Sequence, residues 1–410
     1  MFRFRGLDGL RGWLAWMVVI DHITLFTGAQ TSYGLGRLND MGSGAVTVFI
    51  ILSGFVITHL LIEKHEPYRL YIARRFLRIY PIYFLAFAAG VFTTFLMYRF
   101  FLGADGIAAH ATQHVFQVPN LDHREMDFKA TGAHLYEYLL LHLVMLHGVV
   151  PNNVLFDSPS MFLKSAWSLS LEWQFYLVAP LVVWAARRRW ASIALALACV
   201  VLYKLSIEQR FGEFFLPSFL PAAGPYFAIG ILCRLAVTRA WGAGSWVAVL
   251  ILAAYWLRVR PAGEAVVLWG VFFGASLVRA GRSRARGAFE RLFAALFDSR
   301  LAKHLGNPSY STYLLHMPVL QAAMVLCVRM SAFTPGQAIA FTAASTIALT
   351  YLLSQAAYRW IELPGIRLGK RLGARLSATG DPGSNRGAAE PVRPAPASDD
   401  TPAPVRVPEA

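Results

Sequence analysis

Two residues in the first apolar segment have side chains suited to binding a charged ligand and transferring a group from it. Arg11 and His22 are eleven positions apart, which in an α-helix places them on one face, about 16 Å apart along the axis. A cation at one end and a titratable imidazole further along fit an elongated anionic ligand. The same spacing also fits an arginine at the membrane interface and a histidine that only packs. Spacing alone leaves both interpretations open.

A second cationic pair lies at the start of another apolar segment. Arg75 and Arg78 are three positions apart and therefore share a helix face at the mouth of that segment. Two guanidinium groups in this arrangement can clamp phosphates. They can equally contact lipid headgroups and fix the orientation of the chain in a membrane.

Further polar groups lie inside apolar, aromatic segments. Glu172 belongs to the segment Trp167–Tyr176, where a carboxylate can orient an imidazole, act as a general base or stabilise a helix N-terminus. Tyr310, Tyr313 and His316 are spaced by three and predict a polar stripe on a later helix. Each of these groups is costly at membrane depth unless it is paired or faces a polar cavity.

The composition identifies the kind of molecule that must position these groups. Hydrophobic residues make up 56% of the 410 residues, charged residues only 15%, and the mean hydropathy is +0.48. Soluble domains contain roughly 25% charged residues. The net charge of +15 comes from short basic runs between apolar segments, which is typical of membrane proteins and argues against a nucleic-acid partner. The cysteines lie in apolar segments, and His110 and His114 lack a third ligand, so no metal site is predicted.

The apolar segments predict an all-α fold, a polytopic transmembrane helix bundle of about ten spans. About 20 residues are needed per span, and the predicted spans are 9–28, 43–62, 77–98, 167–186, 191–208, 217–236, 243–257, 264–279, 309–329 and 336–358. With ten spans the basic runs fall on one side, so both termini are predicted to be cytoplasmic. Residues 1–370 form the transmembrane domain, with an external loop at about 99–166. Residues 371–410 are predicted to be a disordered, Pro- and Ala-rich cytoplasmic tail.

Six motifs, in order, resemble the acyltransferase-3 family of bacterial integral membrane O-acyltransferases, which includes O-antigen and exopolysaccharide O-acetylases. The resemblance covers nearly the whole apolar region. The motifs are Leu7–Gly12 with His22, Phe49–Phe55, Arg75-x-x-Arg78, Trp167–Tyr176, Gly306–His316 and Tyr358–Pro364.

The resemblance implies transfer of an acyl group, often acetyl, from cytoplasmic acyl-CoA to a hydroxyl of a cell-envelope saccharide or glycolipid. It implies a multi-pass protein of the bacterial inner membrane that has acyl-CoA as co-substrate and no permanently bound cofactor. By resemblance, His22 and Glu172 are catalytic, and Arg11, Arg75 and Arg78 bind the acyl-CoA. Some members carry a fused C-terminal esterase-like domain. Only a short tail follows here, so we expect this protein to act alone or with a separate partner.

A transporter or flippase of a sugar-linked lipid is the alternative, because ten spans with a histidine at depth suit a carrier as well. Carriers commonly show repeated halves and interrupted helices, and the sequence shows neither. The acceptor sugar, the acyl chain length and the oligomeric state are left open by the sequence.

Overall fold

The computed structural model describes residues 6–32, 39–64, 66–101, 116, 121–188, 190–237, 242–256, 262–281, 287–330 and 333–379. Within these ranges all regular elements are helical and no strand occurs, which confirms the predicted all-α fold class. Residues 380–410, His110 and His114 lie outside the described part of the chain, so the predictions that concern them stay predictions.

The described residues form fifteen α-helices, and ten long ones lie where the ten spans were predicted. In chain order the helices are α1 (Leu7–Phe26), α2 (Ala29–Ser32), α3 (Asn39–Glu63), α4 (Tyr68–Phe101), α5 (Leu121–Leu143), α6 (Trp167–Ala186), α7 (Ala191–Ile207), α8 (Leu220–Ala236), α9 (Gly242–Trp256), α10 (Ala262–Gly281), α11 (Ala288–Phe293), α12 (Arg300–Gly306), α13 (Ser309–Met330), α14 (Pro335–Ala357) and α15 (Leu363–Thr379). Single π-helical turns, Ala294–Asp298 and Tyr358–Glu362, follow α11 and α14.

Five helical stretches in the described part of the chain are long and apolar enough to cross a membrane by length and composition. They are Met41–Glu63, Tyr68–Arg99, Lys164–Ala186, Ser309–Met330 and Pro335–Arg375. Helices α7 to α10 are apolar but shorter. Helix α1 has the length of a span, but Asp8, Arg11 and Asp21 lower its hydropathy. The helices therefore coincide with the predicted spans, while the number that crosses the bilayer stays a prediction.

Glycines bring the helices that carry the site into backbone contact. A Cβ atom on Gly230 of α8 would lie 2.0 Å from the carbonyl oxygen of Ile51, and one on Gly54 of α3 would lie 2.4 Å from that of Phe227. Likewise, a Cβ on Gly306 of α12 would lie 2.0 Å from the carbonyl oxygen of Asp8 in α1. Small residues allow this approach in membrane bundles. These contacts hold α3 against α8 and α12 against α1.

Two segments contain more helix than the sequence predicted. The predicted external loop, 99–166, contains α5, which has a kink at His134, and a 3₁₀ turn at His147–Val149. Helix α15 continues to Thr379, so the first nine residues of the predicted disordered tail are helical. The physical reason is its amphipathic pattern: Gly365, Gly369 and Gly373 lie against α4, and its basic residues are exposed.

Candidate functional site

A cavity of about 520 Å³ opens at the end of the bundle where α1 ends and where α3 and α6 begin. His22 and the neighbouring Asp21 line it from α1, and we call it the His22 cavity. Its aromatic walls are Trp167, Tyr203, Phe214, Phe215 and Tyr226. Its other polar groups are Ser43, Thr47, Ser206 and Gln209. Aromatic faces with a few polar groups are typical of small-molecule sites of this size.

His22 is bonded to a second histidine that lies 294 positions away in the sequence. Nδ1 of His22 and Nε2 of His316 are 2.7 Å apart. The two rings are nearly parallel, with centroids 5.0 Å apart and an interplanar angle of 11°. His316 is fully buried in α13, which packs along α1. The tyrosine–histidine stripe noted in the sequence therefore supplies the partner of His22.

A smaller cavity of about 50 Å³ lies next to the first and is lined by Arg11, Ser53, Glu172 and Tyr310. We call it the Arg11 cavity. Val46, Ile50 and Tyr313 line both cavities and form the boundary between them. Arg11 and His22, predicted to share one face of α1, thus face two adjoining cavities.

Glu172 and His22 are not in contact in the described part of the chain, so the structure does not bring these two predicted catalytic residues together. The Oε1 atom of Glu172 accepts a hydrogen bond of 2.8 Å from Ser53 and another from Tyr176. The reason is depth: Trp167 lines the His22 cavity, and Glu172 lies five residues further along α6, about 7.5 Å deeper.

Three guanidinium groups converge near Glu172. Arg11 interacts electrostatically with Arg78 and Glu172, and Arg75 with Arg78, Glu172 and Tyr176. Among the described residues, none of the three arginines has a hydrogen bond or an ion pair with a protein group. The structure therefore brings together the three arginines that the sequence singled out. These partly buried cations have the nearby charge of Glu172 but no direct hydrogen bond to it.

Glu362 is a further acidic group near these arginines that the sequence analysis did not assign. It is 3% exposed and accepts hydrogen bonds from the backbone N–H of Ser311, at 2.9 Å, and from the Ser311 hydroxyl. It also interacts electrostatically with Arg78 and Arg11. In the sequence, the indication of a role for Glu362 is its position inside the closing Tyr358–Pro364 motif, which was identified by resemblance only.

Comparison with known proteins identifies the family of this chain. Residues 4–355 match the acyltransferase-3 family, described as an acyltransferase domain. The chain is 27% identical over 348 residues to acyltransferase MdmB of Streptomyces mycarofaciens, which covers 78% of this chain and 79% of that relative. No solved structure matches the chain. Because the family match spans most of the sequence, the protein belongs to the acyltransferase-3 family and is a membrane acyltransferase.

Proposed function

We propose that this enzyme transfers an acyl group, acetyl in the first instance, from cytoplasmic acyl-CoA to a hydroxyl of a cell-envelope saccharide or glycolipid. The observation that carries the proposal is the pair of adjoining cavities. Arg11 lines one of them, with Arg78 nearby, and the other contains a partly buried imidazole among aromatic and polar side chains. A donor with phosphates and an acceptor with hydroxyls need these two different surroundings.

The arginines support the donor site. Nε of Arg11, Nε of Arg75 and the hydroxyl of Tyr310 are buried and have no hydrogen-bond partner among the described residues. Unpaired donors of this kind raise the free energy of the empty protein, and an anion that accepts their hydrogen bonds removes that cost. The phosphates of acyl-CoA would bind Arg75 and Arg78, with Arg11 leading toward the His22 cavity.

We assign Glu172 a role at the donor site in place of the catalytic role that the resemblance implies. It faces the guanidinium groups, so it serves as their counter-charge while the donor site is empty. Its hydrogen bonds from Ser53 and Tyr176 hold the carboxylate in that position.

The acceptor site is supported by the lining of the His22 cavity. Sugars bind proteins through apolar contact with aromatic faces and through hydrogen bonds from their hydroxyls. Trp167, Tyr203 and Tyr226 offer the faces, and Thr47 and Gln209 offer polar partners. An acceptor hydroxyl in this cavity lies in the same space as His22.

His22 supports two routes for the transfer. As a general base, it takes the proton of the acceptor hydroxyl while the oxygen attacks the thioester carbonyl. The C–S bond breaks, and the thiolate of CoA receives a proton. As a nucleophile, His22 first accepts the acyl group and then passes it to the hydroxyl. Both routes give the same products, and we leave them as alternatives.

The proposed topology places the donor and acceptor on opposite sides of the membrane. We propose ten spans in the bacterial inner membrane with both termini in the cytoplasm, as the distribution of basic residues indicates. The His22 cavity then opens outward, because it lies at the end of the bundle where α1 ends.

The test uses purified protein in detergent, radiolabelled acetyl-CoA and envelope polysaccharide from a strain that lacks the gene. We expect label in the polysaccharide and free CoA in equal amounts. His22→Ala should lower the rate by about 10²- to 10⁴-fold while the protein still elutes as a single species. Full activity of His22→Ala, or no label transfer by the unmodified enzyme, would refute the proposal. A carrier would consume no acetyl-CoA.

A further inference from the structure

We propose that His316 is a positioning residue that fixes the tautomer of His22, so that Nε2 of His22 carries the lone pair that meets the acceptor hydroxyl. The inference rests on the proposed function and adds a residue and a proton arrangement to it. It comes from the 2.7 Å contact between Nδ1 of His22 and Nε2 of His316.

The contact requires one nitrogen to donate and the other to accept, and the surroundings of His316 decide which. Nδ1 of His316 is buried and has no hydrogen-bond partner among the described residues, and the ring interacts with the backbone carbonyls of Thr312 and Tyr313 on its own helix. Carbonyl oxygens only accept hydrogen bonds, so they favour a proton on this nitrogen and repel a lone pair. The Thr312 hydroxyl has no hydrogen-bond partner among the described residues.

A neutral imidazole has one donor nitrogen and one acceptor nitrogen. With its proton on Nδ1, His316 presents a lone pair on Nε2. His22 must therefore donate from its Nδ1 and keep the lone pair on its own Nε2. His22 lines the cavity, and its Nδ1 is occupied by His316. Nε2 is therefore the nitrogen available to a hydroxyl in the cavity.

His316 also stabilises the positive charge that the reaction creates on His22. When Nε2 of His22 takes the acceptor proton, the positive charge is stabilised by the neutral His316 nitrogen to which His22 donates. The acceptor oxygen forms the new bond to the acyl carbon, the C–S bond breaks, and the proton passes from His22 to the CoA thiolate. No other reactant is needed, and His316 starts and ends neutral.

The other charged and titratable groups that face the pair come from several elements. Asp21 precedes His22 in α1, and Lys164, just before α6, interacts electrostatically with His22. Tyr313 stands beside His316 with ring centroids 6.0 Å apart, and Tyr203 and Tyr226 line the cavity from α7 and α8. Among the described residues only His316 is hydrogen-bonded to the His22 ring.

The experiment compares His316→Leu, which removes the acceptor nitrogen, with His316→Gln, whose side-chain oxygen can accept the bond from His22. Gln321→Leu is the matched control, because Gln321 is a buried polar residue on the same helix. It accepts a hydrogen bond of 2.6 Å from Thr93, outside both cavities. Rates are measured from pH 5 to 9 with acetyl-CoA and envelope polysaccharide from a strain lacking the gene.

We expect His316→Leu to lower kcat by about 10²-fold or more with an unchanged KM for acetyl-CoA. His316→Gln should regain at least a tenth of the lost kcat. The acid limb of the kcat/KM profile of His316→Gln should move, because the glutamine amide does not titrate as an imidazole does. Gln321→Leu should keep the original profile.

Unchanged kcat in His316→Leu would overturn the proposal, as would equal loss in both His316 variants with the acid limb unmoved. If His316→Leu fails to insert, the kcat and acid limb of His316→Gln decide alone. His22→Ala separates the two proposals: an inactive His22→Ala protein beside a fully active His316→Leu protein leaves the proposed function intact and removes only the role of His316.

Discussion

Replacement of Glu172 by glutamine tests whether this carboxylate acts on the donor site or on the reacting groups. The substitution keeps the size of the side chain and an oxygen that can accept from Ser53 and Tyr176, and it removes the negative charge. In the proposed donor site, Glu172 is the counter-charge of the arginines and competes with the phosphates of acyl-CoA. Its removal should therefore strengthen acyl-CoA binding, a result that a catalytic carboxylate would not give.

The magnitude follows from Coulomb's law. With an effective dielectric constant of about 20 and a separation of ~8 Å between the carboxylate and a bound phosphate, the repulsion is roughly 2 kcal/mol. This corresponds to at most about 30-fold in affinity. Salt and solvent around the partly buried arginines reduce the effect. We therefore expect CoA to bind about tenfold more tightly to Glu172→Gln, and the gain to shrink as ionic strength rises.

The assay is titration calorimetry with CoA at two salt concentrations, together with thermal unfolding with and without CoA. The empty Glu172→Gln protein should unfold at a lower temperature than the original, because its guanidinium groups lose their counter-charge, and CoA should raise that temperature by more. Glu63→Gln is the control, because it removes a carboxylate charge that lies 3.0 Å from Arg234, away from both cavities. That variant should leave the affinity for CoA unchanged.

One result would refute this reasoning. If Glu172→Gln binds CoA as the original does and loses about 10²-fold or more in kcat, the carboxylate acts on the reacting groups. The role expected from the sequence would then hold, and the contacts seen for Glu172 would describe only the empty enzyme.

Three further outcomes are expected. Arg75→Ala combined with Arg78→Ala should weaken CoA binding by roughly 10²- to 10³-fold in calorimetry, because two charge-assisted contacts are lost, and unchanged affinity would remove both from the donor site. Ile50→Trp, at the boundary of the cavities, should lower kcat by about 10²-fold with CoA binding retained, whereas Ile50→Val should be nearly normal. In spheroplasts, a membrane-impermeant maleimide should label Gln209→Cys, but Lys370→Cys only after permeabilisation; the reverse order would contradict the proposed topology.

The helices were predictable because length and hydropathy are local properties. Helix α13 was predicted at 309–329 and observed at Ser309–Met330, and α8 was predicted at 217–236 and observed at Leu220–Ala236. Helix α15 was not among the predicted helices, because the composition of this segment and the tail conceals an amphipathic periodicity. Its glycines recur every four residues and its basic residues lie on another face.

The contacts within the site were only partly predictable, because periodicity identifies which residues share a face and not which helix lies opposite. Arg75 and Arg78 share a face by spacing alone, and the structure shows Arg78 interacting electrostatically with both Arg75 and Arg11. The bond between His22 and His316 depends on how α1 packs against α13, which no spacing within either helix encodes. The depth of Glu172 depends in the same way on where α6 enters the bundle.

Two helices, α1 and α13, carry paired groups at both cavities, and this arrangement bears on how the reaction is controlled. Arg11 and Tyr310 line the Arg11 cavity, and His22 is bonded to His316 beside the His22 cavity. Groups held on packed helices keep their separation better than groups on loops. The distance from the arginines to the imidazole is therefore set by the helix backbone, at about 16 Å between Arg11 and His22. In the proposed mechanism, a donor held by its phosphates delivers its thioester at a fixed depth, and only an acceptor that reaches this depth from the other cavity can react. On this reasoning, selectivity for the acceptor lies in the lining of the His22 cavity, while the donor site need only recognise CoA.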